Sequence, residues 1–287
     1  MAPALTTKQW ALSHLIALGV LVLVVFSFWD VVGHGLEVSV LDVGQGDAIL
    51  ISTPDYKNIL IDAGPGSQVI DPLGGAMGFF DKTIDLFVLT HPHRDHLGGI
   101  LDVMQKYKIK RVMLTGAVSH DPFYESFLEE IKAQNVEIVM PSQERDIQVG
   151  QGVYLDVLYP LQGQSLLGQE AGNLNNTSIA IRVMRQTSDG LENLVMLSGD
   201  AEQEEELEIL LSGQDLRGEV LKLGHHGSRT ATSNPWLQAV GPREVIVSAG
   251  LDNTFGHPHP ETLEKVKELD MWNTMEQGSL RLPFGLW

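Results

Sequence analysis

The chain has no cysteine, so disulfides and thiolate metal ligands are excluded, and any transition metal must be held by His, Asp or Glu. Basic residues are scarce: 19 Lys and Arg stand against 37 Asp and Glu, a formal net charge of -18. Such a charge repels a nucleic-acid backbone unless a local basic strip or bound cations override it, which counts against a simple DNA-binding module. Internal repeats and low-complexity tracts are also lacking. What is present is an ordinary globular composition, 43% hydrophobic over 287 residues, enough for a sizeable core.

The first thirty residues differ from the rest. From Ala11 to Trp29 the chain is apolar apart from Ser13, His14, Ser27 and the small Gly19, a length that crosses a hydrocarbon core of about 30 Å as a helix. Trp10 and Trp29 mark the two interfaces, and "SFWDVVGHG" offers no small-x-small cleavage site. We therefore expect an uncleaved membrane anchor over 1–34, with a single domain over 35–287. Lys8 before the run and Asp30 after it place the amino terminus inside and the domain outside the cytoplasm.

Beyond the anchor, short β-branched runs alternate with a few helical patterns. Strands are expected at 36–43, 47–53, 58–62, 84–90, 110–115, 136–140, 153–159, 177–184, 193–198, 218–223 and 243–249. Helices are expected at 97–106, 121–134, 201–212 and 260–269. Hairpins first and strand–helix alternation later predict an α/β fold of two mixed sheets packed face to face, with helices outside.

Three histidines and an aspartate crowd the loop between the apolar run "IDLFVLT" and the helical "LGGILDVMQKY". His91 and His93, two apart on extended backbone, can share one ion, while Asp95 and His96 at the turn into the helix can serve a second. Imidazole and carboxylate suit zinc or manganese. "NLVMLSGD" is another apolar strand ending in an acid, Asp200, which alone could equally be a helix N-cap. The acids from Glu202 to Glu208 read as a solvated helix face. Further along, "HHGS" and "GHPHP" place His225, His226, His257 and His259 at strand ends. Adjacent histidines on extended backbone diverge, so one of His225 and His226 is expected to face a metal. Early in the chain, "DVGQGDA" reads as a tight turn at Gly44 and Gly46, with Asp42 or Asp47, and Asp62 of "DAG", orienting ligands from behind.

"THPHRDH" is the H-x-H-x-D-H signature of the metallo-β-lactamase superfamily. The order of "LDVGQGDAILI", "NILIDAGPG", "LSGDAEQEEE", "LKLGHHGSRTATS" and "NTFGHPHPETLEKV" resembles the hydrolase domain of ComEC-type DNA-uptake competence proteins over about 36–285. The resemblance does not extend to the multi-helix channel usual in such proteins. It implies an αββα metallo-β-lactamase sandwich, preceded here by the one transmembrane helix read from the apolar run, and holding two divalent metal ions, zinc or manganese. It implies His91, His93, Asp95, His96, Asp200 and one of His225 and His226, here taken as His226, as metal ligands, with Asp200 shared between the ions. Asp95, His225 and His259 are the expected catalytic groups: Asp95 orients the attacking water, His225 contacts a substrate oxyanion, helped by Ser228, and His259 or His257 approaches the phosphate. Two departures stand out. Where many members supply a third histidine to the first ion, the chain has "NLNNTSIAIRV", so Asn176 or a neighbour stands there after a loop, 161–176, expected to be a mobile rim. Met275 takes the place of an expected aspartate.

The implied activity is hydrolysis of a phosphodiester, with DNA as one candidate substrate and Lys106, Lys108, Lys110 and Arg111 as a candidate basic strip. The alternatives are a phosphoester hydrolase of cell-wall polymers and a non-catalytic partner of a separate DNA-uptake channel. The implied location is the cell membrane, single-pass, with the catalytic domain extracytoplasmic.

Overall fold

The computed structural model describes residues 6–32, 35–78, 80–144 and 146–285, with backbone alone from 25 to 32. Helix α1 (Thr7–Val32) has 26 residues, and its stretch Thr7–Val24 is unburied and apolar enough to cross a membrane by length and composition. The side chains of Trp29 and Asp30, and the boundary expected at 34, lie outside the described residues.

Strands β1 (Glu37–Val40), β2 (Ile49–Ser52) and β3 (Asn58–Ile61) form an antiparallel meander. The chain then adds β5 (Leu86–Val88), β7 (Arg111–Met113) and β8 (Glu137–Val139) parallel to β3, while β4 (Thr83–Ile84) and β6 (Lys108–Ile109) make a small ribbon. In the second half β9 (Ile147–Gly150), β10 (Val153–Tyr159), β11 (Ala180–Thr187) and β12 (Gly190–Leu197) run antiparallel, followed by β13 (Val220–Lys222), β14 (Glu244–Val247) and β15 (Asp270–Asn273) parallel to β12. Finally β16 (Leu280–Pro283) returns to pair with β1, Leu282 opposite Val38. The sheet orders are β16-β1-β2-β3-β5-β7-β8 and β15-β14-β13-β12-β11-β10-β9.

Period-two alternation builds the layers. Ile49, Ile51, Ile59, Ile61, Leu86 and Val88 join the core between the sheets with Leu155, Val183, Val195 and Ile246. Leu50, Leu60 and Phe87, facing the other way, pack with helices α2 (Ile70–Ala76), α4 (Ile100–Lys106) and α5 (Pro122–Ala133), near the one-turn α3 (Arg94–Leu97). On the far side α6 (Gln203–Leu211), α7 (Asn234–Val240) and α8 (Pro260–Val266) cover the second sheet through Ile209, Trp236, Val240 and Val266, ahead of the short α9 (Thr274–Gln277). This is the αββα sandwich expected from the sequence. Strands buried on both faces read as continuous apolar runs, which is why they were legible.

The sequence did not reveal β9, β15 and β16, nor α2 and α7. β15 has three exposed residues of four and β16 ends in Pro283, so neither shows an apolar run. α7 had a signal that went unused: Ser233 caps it by accepting from the Trp236 amide, and Pro235 stands in its first turn. The acidic face of α6 is not fully solvated. Glu205 and Glu206 are buried, and Glu206 accepts the Thr232 and Ser233 amides at 2.5 and 2.9 Å, tying α6 to the loop before α7.

Candidate metal centre

Five loops leaving the carboxyl ends of strands meet at one end of the sandwich: after β3 with Asp62, β5 with His91 to His96, β12 with Asp200, β13 with His225 and His226, and β14 with residues 248–259. Parallel strands deliver loops to a common end, the usual position for a ligand crevice in α/β folds. Lys110 bonds Asp85 at 2.7 Å and Arg111 opens β7 at the opposite, amino end, so the expected basic strip does not border this centre.

Asp95, His96, Asp200 and His226 each offer a ligand atom, all within 4.8 Å of one another. Asp200 Oδ2 is the hub, 3.2 Å from His96 Nε2, 3.4 Å from His226 Nε2, 3.6 Å from His225 Nε2 and 4.0 Å from His91 Nε2. Its amide donates to Ser178 Oγ, and Glu202 occupies the N-cap of α6, so Asp200 is free of the capping role. His91 Nε2 meets His93 Nδ1 at 3.0 Å.

The groups behind these imidazoles fix their tautomers. Carbonyl oxygen only accepts, so His226 Nδ1 donates to Ser248 O at 2.9 Å. His96 Nδ1 donates to Asp62 Oδ2 at 2.7 Å. Thr90 Oγ1 gives its one hydrogen to Asp62 Oδ2 at 2.7 Å, so toward His91 Nδ1, 3.1 Å away, it accepts. Each Nε2 is thereby turned inward, the arrangement that orients metal-binding histidines. His96 Nε2, His226 Nε2 and Asp200 Oδ1 are buried, and among the described residues none makes a well-formed hydrogen bond. Buried polar atoms without partners are costly. A divalent cation between them removes that cost, so the residues present fit a metal.

Electrostatics agree with a centre built for positive charge. Burial works against ionising Asp200, yet His226 and His96 hold its carboxyl well below the usual range. Burial likewise opposes charge on His96 and His226, but Asp200, seconded by Asp62 for His96 and Asp47 for His226, raises both well above the ordinary histidine value. Those protons fill the place of a cation, which must displace them on binding. His91 is different: burial, then His96, push it well below its ordinary value, keeping it neutral. Beneath the centre, fully buried Lys222 donates to Asp47, which lies 3.4 Å from His226 Nδ1.

Local backbone explains the placement. His225 and His226 have φ of 47° and 55° in a turn after β13, not the extended backbone expected, and Asp62 has φ 57°. Left-handed conformations in non-glycine residues store strain and cluster at functional sites. The turn sends His226 into the cluster and leaves His225 half-buried at the mouth, its Nδ1 3.2 Å from Glu202 Oε1. Of the two aspartates beside the glycine turn, Asp47 approaches the centre while Asp42 caps its own loop through the Gly44 amide.

Several expectations shift. Asn176 bonds Glu204 and the Glu202 amide; Ser178 is the residue beside His91, with Oγ 3.3 Å from Nδ1. At the carboxyl end of the 161–176 loop Asn173 and Asn175 both donate to Glu202. His259 stands one ring further out: its Nδ1 accepts the Arg229 amide at 3.1 Å, and His257 is the ring packed against His225, at 5.2 Å between centroids. Burial, then His225 and His226, lower the His257 pKa to about 4. Ser228 is buried and bonded to Thr230, so it does not face a substrate. Met275 packs at the edge of the apolar layer over the second sheet. His257, Lys222 and Ser178 were the residues sequence reasoning underweighted; only the "GHPHP" doublet carried a signal.

The metallo-β-lactamase superfamily model matches residues 41–156, and the αββα architecture that contains this stretch is the metallo-β-lactamase fold. Among curated proteins it is similar to ComE operon protein 3 of Bacillus subtilis, 28% identical over 79% of this chain and 30% of that one. Recombination protein 2 of Haemophilus influenzae is 27% identical over 86% and 29%, and competence protein ComA of Neisseria gonorrhoeae 28% over 86% and 32%. The chain thus spans about a third of the length of these relatives. Among solved structures the fold is similar to the metallo-beta-lactamase fold protein YhfI from Bacillus subtilis, TM-score 0.54 at 12% identity, covering 86% of this chain and all of that one. A long form RNase Z from yeast gives 0.50 at 13%, covering 85% and 41%.

Proposed function

We propose that the protein is a membrane-anchored, metal-dependent phosphodiesterase, a nuclease linked to DNA uptake, whose domain lies outside the cytoplasm. The observation that carries the reading is the convergence of His96, His226, Asp95 and Asp200 on one point where His96 Nε2, His226 Nε2 and Asp200 Oδ1 are buried without hydrogen-bond partners among the described residues. Asp95, His96, Asp200 and His226 would hold one divalent cation, and His91, His93 and Asp200 a second. Zinc or manganese there would supply Lewis acidity toward a phosphoryl oxygen and toward water.

The chain's own residues do the rest. Burial opposes ionisation of Asp95, but His96 and His226 hold its carboxyl low, so it stays an acceptor able to orient a water. His225 stands at the mouth with Nδ1 3.2 Å from Glu202 Oε1 and Nε2 3.6 Å from Asp200 Oδ2, and burial lowers its pKa, so the neutral ring would act toward substrate as a proton acceptor. His259 anchors the Arg229 loop rather than touching the centre. The names of the curated relatives support the link to competence.

The test incubates the full chain in detergent with single-stranded DNA, duplex DNA and a chromogenic phosphodiester, each with manganese, zinc or chelator. Cleavage of DNA that chelator abolishes is the expected result. Turnover of the small diester alone would move the reading to wall-polymer esters. Binding without turnover under every metal would replace it with a non-catalytic channel partner.

A further inference from the structure

The two sides of the centre's mouth differ in chemistry. On one side Asn173, Asn176 and Thr177 wall a cavity of about 350 Å³ whose lining includes Glu170 and Glu204, acids that disfavour a phosphate strand. On the other side the loop 250–259 overhangs His225. That loop is knotted: Asn253 Nδ2 donates to Gly250 O and His257 O, each at 2.7 Å, and the His257 amide donates to Asn253 Oδ1 at 2.9 Å. Phe255 stands at its tip, 62% exposed, with Leu251 74% exposed in the same loop.

The phenyl ring is backed rather than loose. It stacks on His257, centroids 5.7 Å apart and planes within 23°, and His257 in turn lies 5.2 Å from His225 and 6.1 Å from His226. One imidazole therefore separates an open aromatic face from the metal centre. Arg229, largely exposed, sits beside His259 on the same side. On a chain of net charge -18, long-range attraction for a polyanion is absent, so affinity must come from contacts that do not depend on net charge. Stacking of a base on an aromatic side chain is such a contact, worth about 5- to 160-fold in affinity per base. In a duplex each base face is covered by its neighbours; an unpaired base has one to offer.

Resting on the phosphodiesterase reading, we propose that Phe255 is a stacking platform for an unpaired nucleobase next to the scissile phosphate. It thereby sets a preference for single-stranded nucleic acid over phosphodiesters that lack a base.

The test uses the full chain in detergent with manganese, on a thymidine oligonucleotide and an abasic oligomer of equal length. The ratio of kcat/KM between the two is expected to be about tenfold in the wild type. It should fall toward one in Phe255→Ala, with the change in KM rather than kcat, and return in Phe255→Trp. Phe255 is exposed, so the variants should keep the wild-type Tm. A wild type that cleaves both oligomers equally well, or a Phe255→Ala variant that keeps the full ratio, overturns the platform and leaves the phosphodiesterase reading standing. Cleavage of neither oligomer overturns that reading and the platform with it.

Discussion

Asp200 concentrates the chemistry of the site in one carboxylate, with four imidazole nitrogens at 3.2 to 4.0 Å from a single oxygen. Replacing it by Asn keeps the shape and removes the charge that, under the proposed two-metal site, would hold two cations close together. Changes behind a metal ligand already cost about 10- to 100-fold, so loss of the shared ligand is expected to cost at least about a hundredfold in rate and to lower metal content. Rates measured beside metal counting by mass spectrometry check this. Full activity with unchanged metal in Asp200→Asn would sink the two-metal mechanism.

At the scale of elements, α6 carries a built-in pH dependence. Burial, then Glu208 and Glu206, push the Glu205 carboxyl well above its ordinary value. Below about pH 4 both folded and unfolded chains hold this proton, and Glu205 is neutral in its buried position. As pH rises the unfolded chain releases the proton while the folded one retains it. Stability then falls by about 1.4 kcal/mol per pH unit until the folded pKa is reached. Glu205→Gln removes the ionisation. It is expected to be more stable than the wild type by at least about 1 kcal/mol at pH 7 and by nothing at pH 4, read from urea melts at the two values. A gain independent of pH would show that the amide acts through packing instead. Turns matter at this scale too: a Cβ on Gly46 would meet the Asp95 carbonyl oxygen at 2.1 Å, so the early glycine turn lets two loops touch where the ligands start.

For the molecule as a whole, α1 and the charge balance belong together. If α1 anchors the chain as proposed, net charge -18 repels an anionic substrate at long range, and cations held in the centre would offset that repulsion close by. With Lys8 before the apolar run, a reporter fused after Trp287 is expected to be active only outside the cytoplasm. Activity of a cytoplasmic reporter would reverse the orientation.

The sequence by itself determined the sandwich and named most of the residues that gather at the candidate centre, because both signals are local. Strands buried on two faces appear as unbroken apolar runs, as in "IDLFVLT", and ligand-grade residues gather in the loops that follow them. Edge strands such as β15 stayed hidden because their exposure erases that pattern. The tertiary structure decided what depends on distant partners. It turned His226 inward and His225 outward through left-handed backbone, set His257 rather than His259 against them, and put Ser178 beside His91. It also paired Lys222 with Asp47, 175 residues away. None of these choices has a local cause: each follows from how the carboxyl ends of two sheets are brought together, which residue spacing along one chain does not encode.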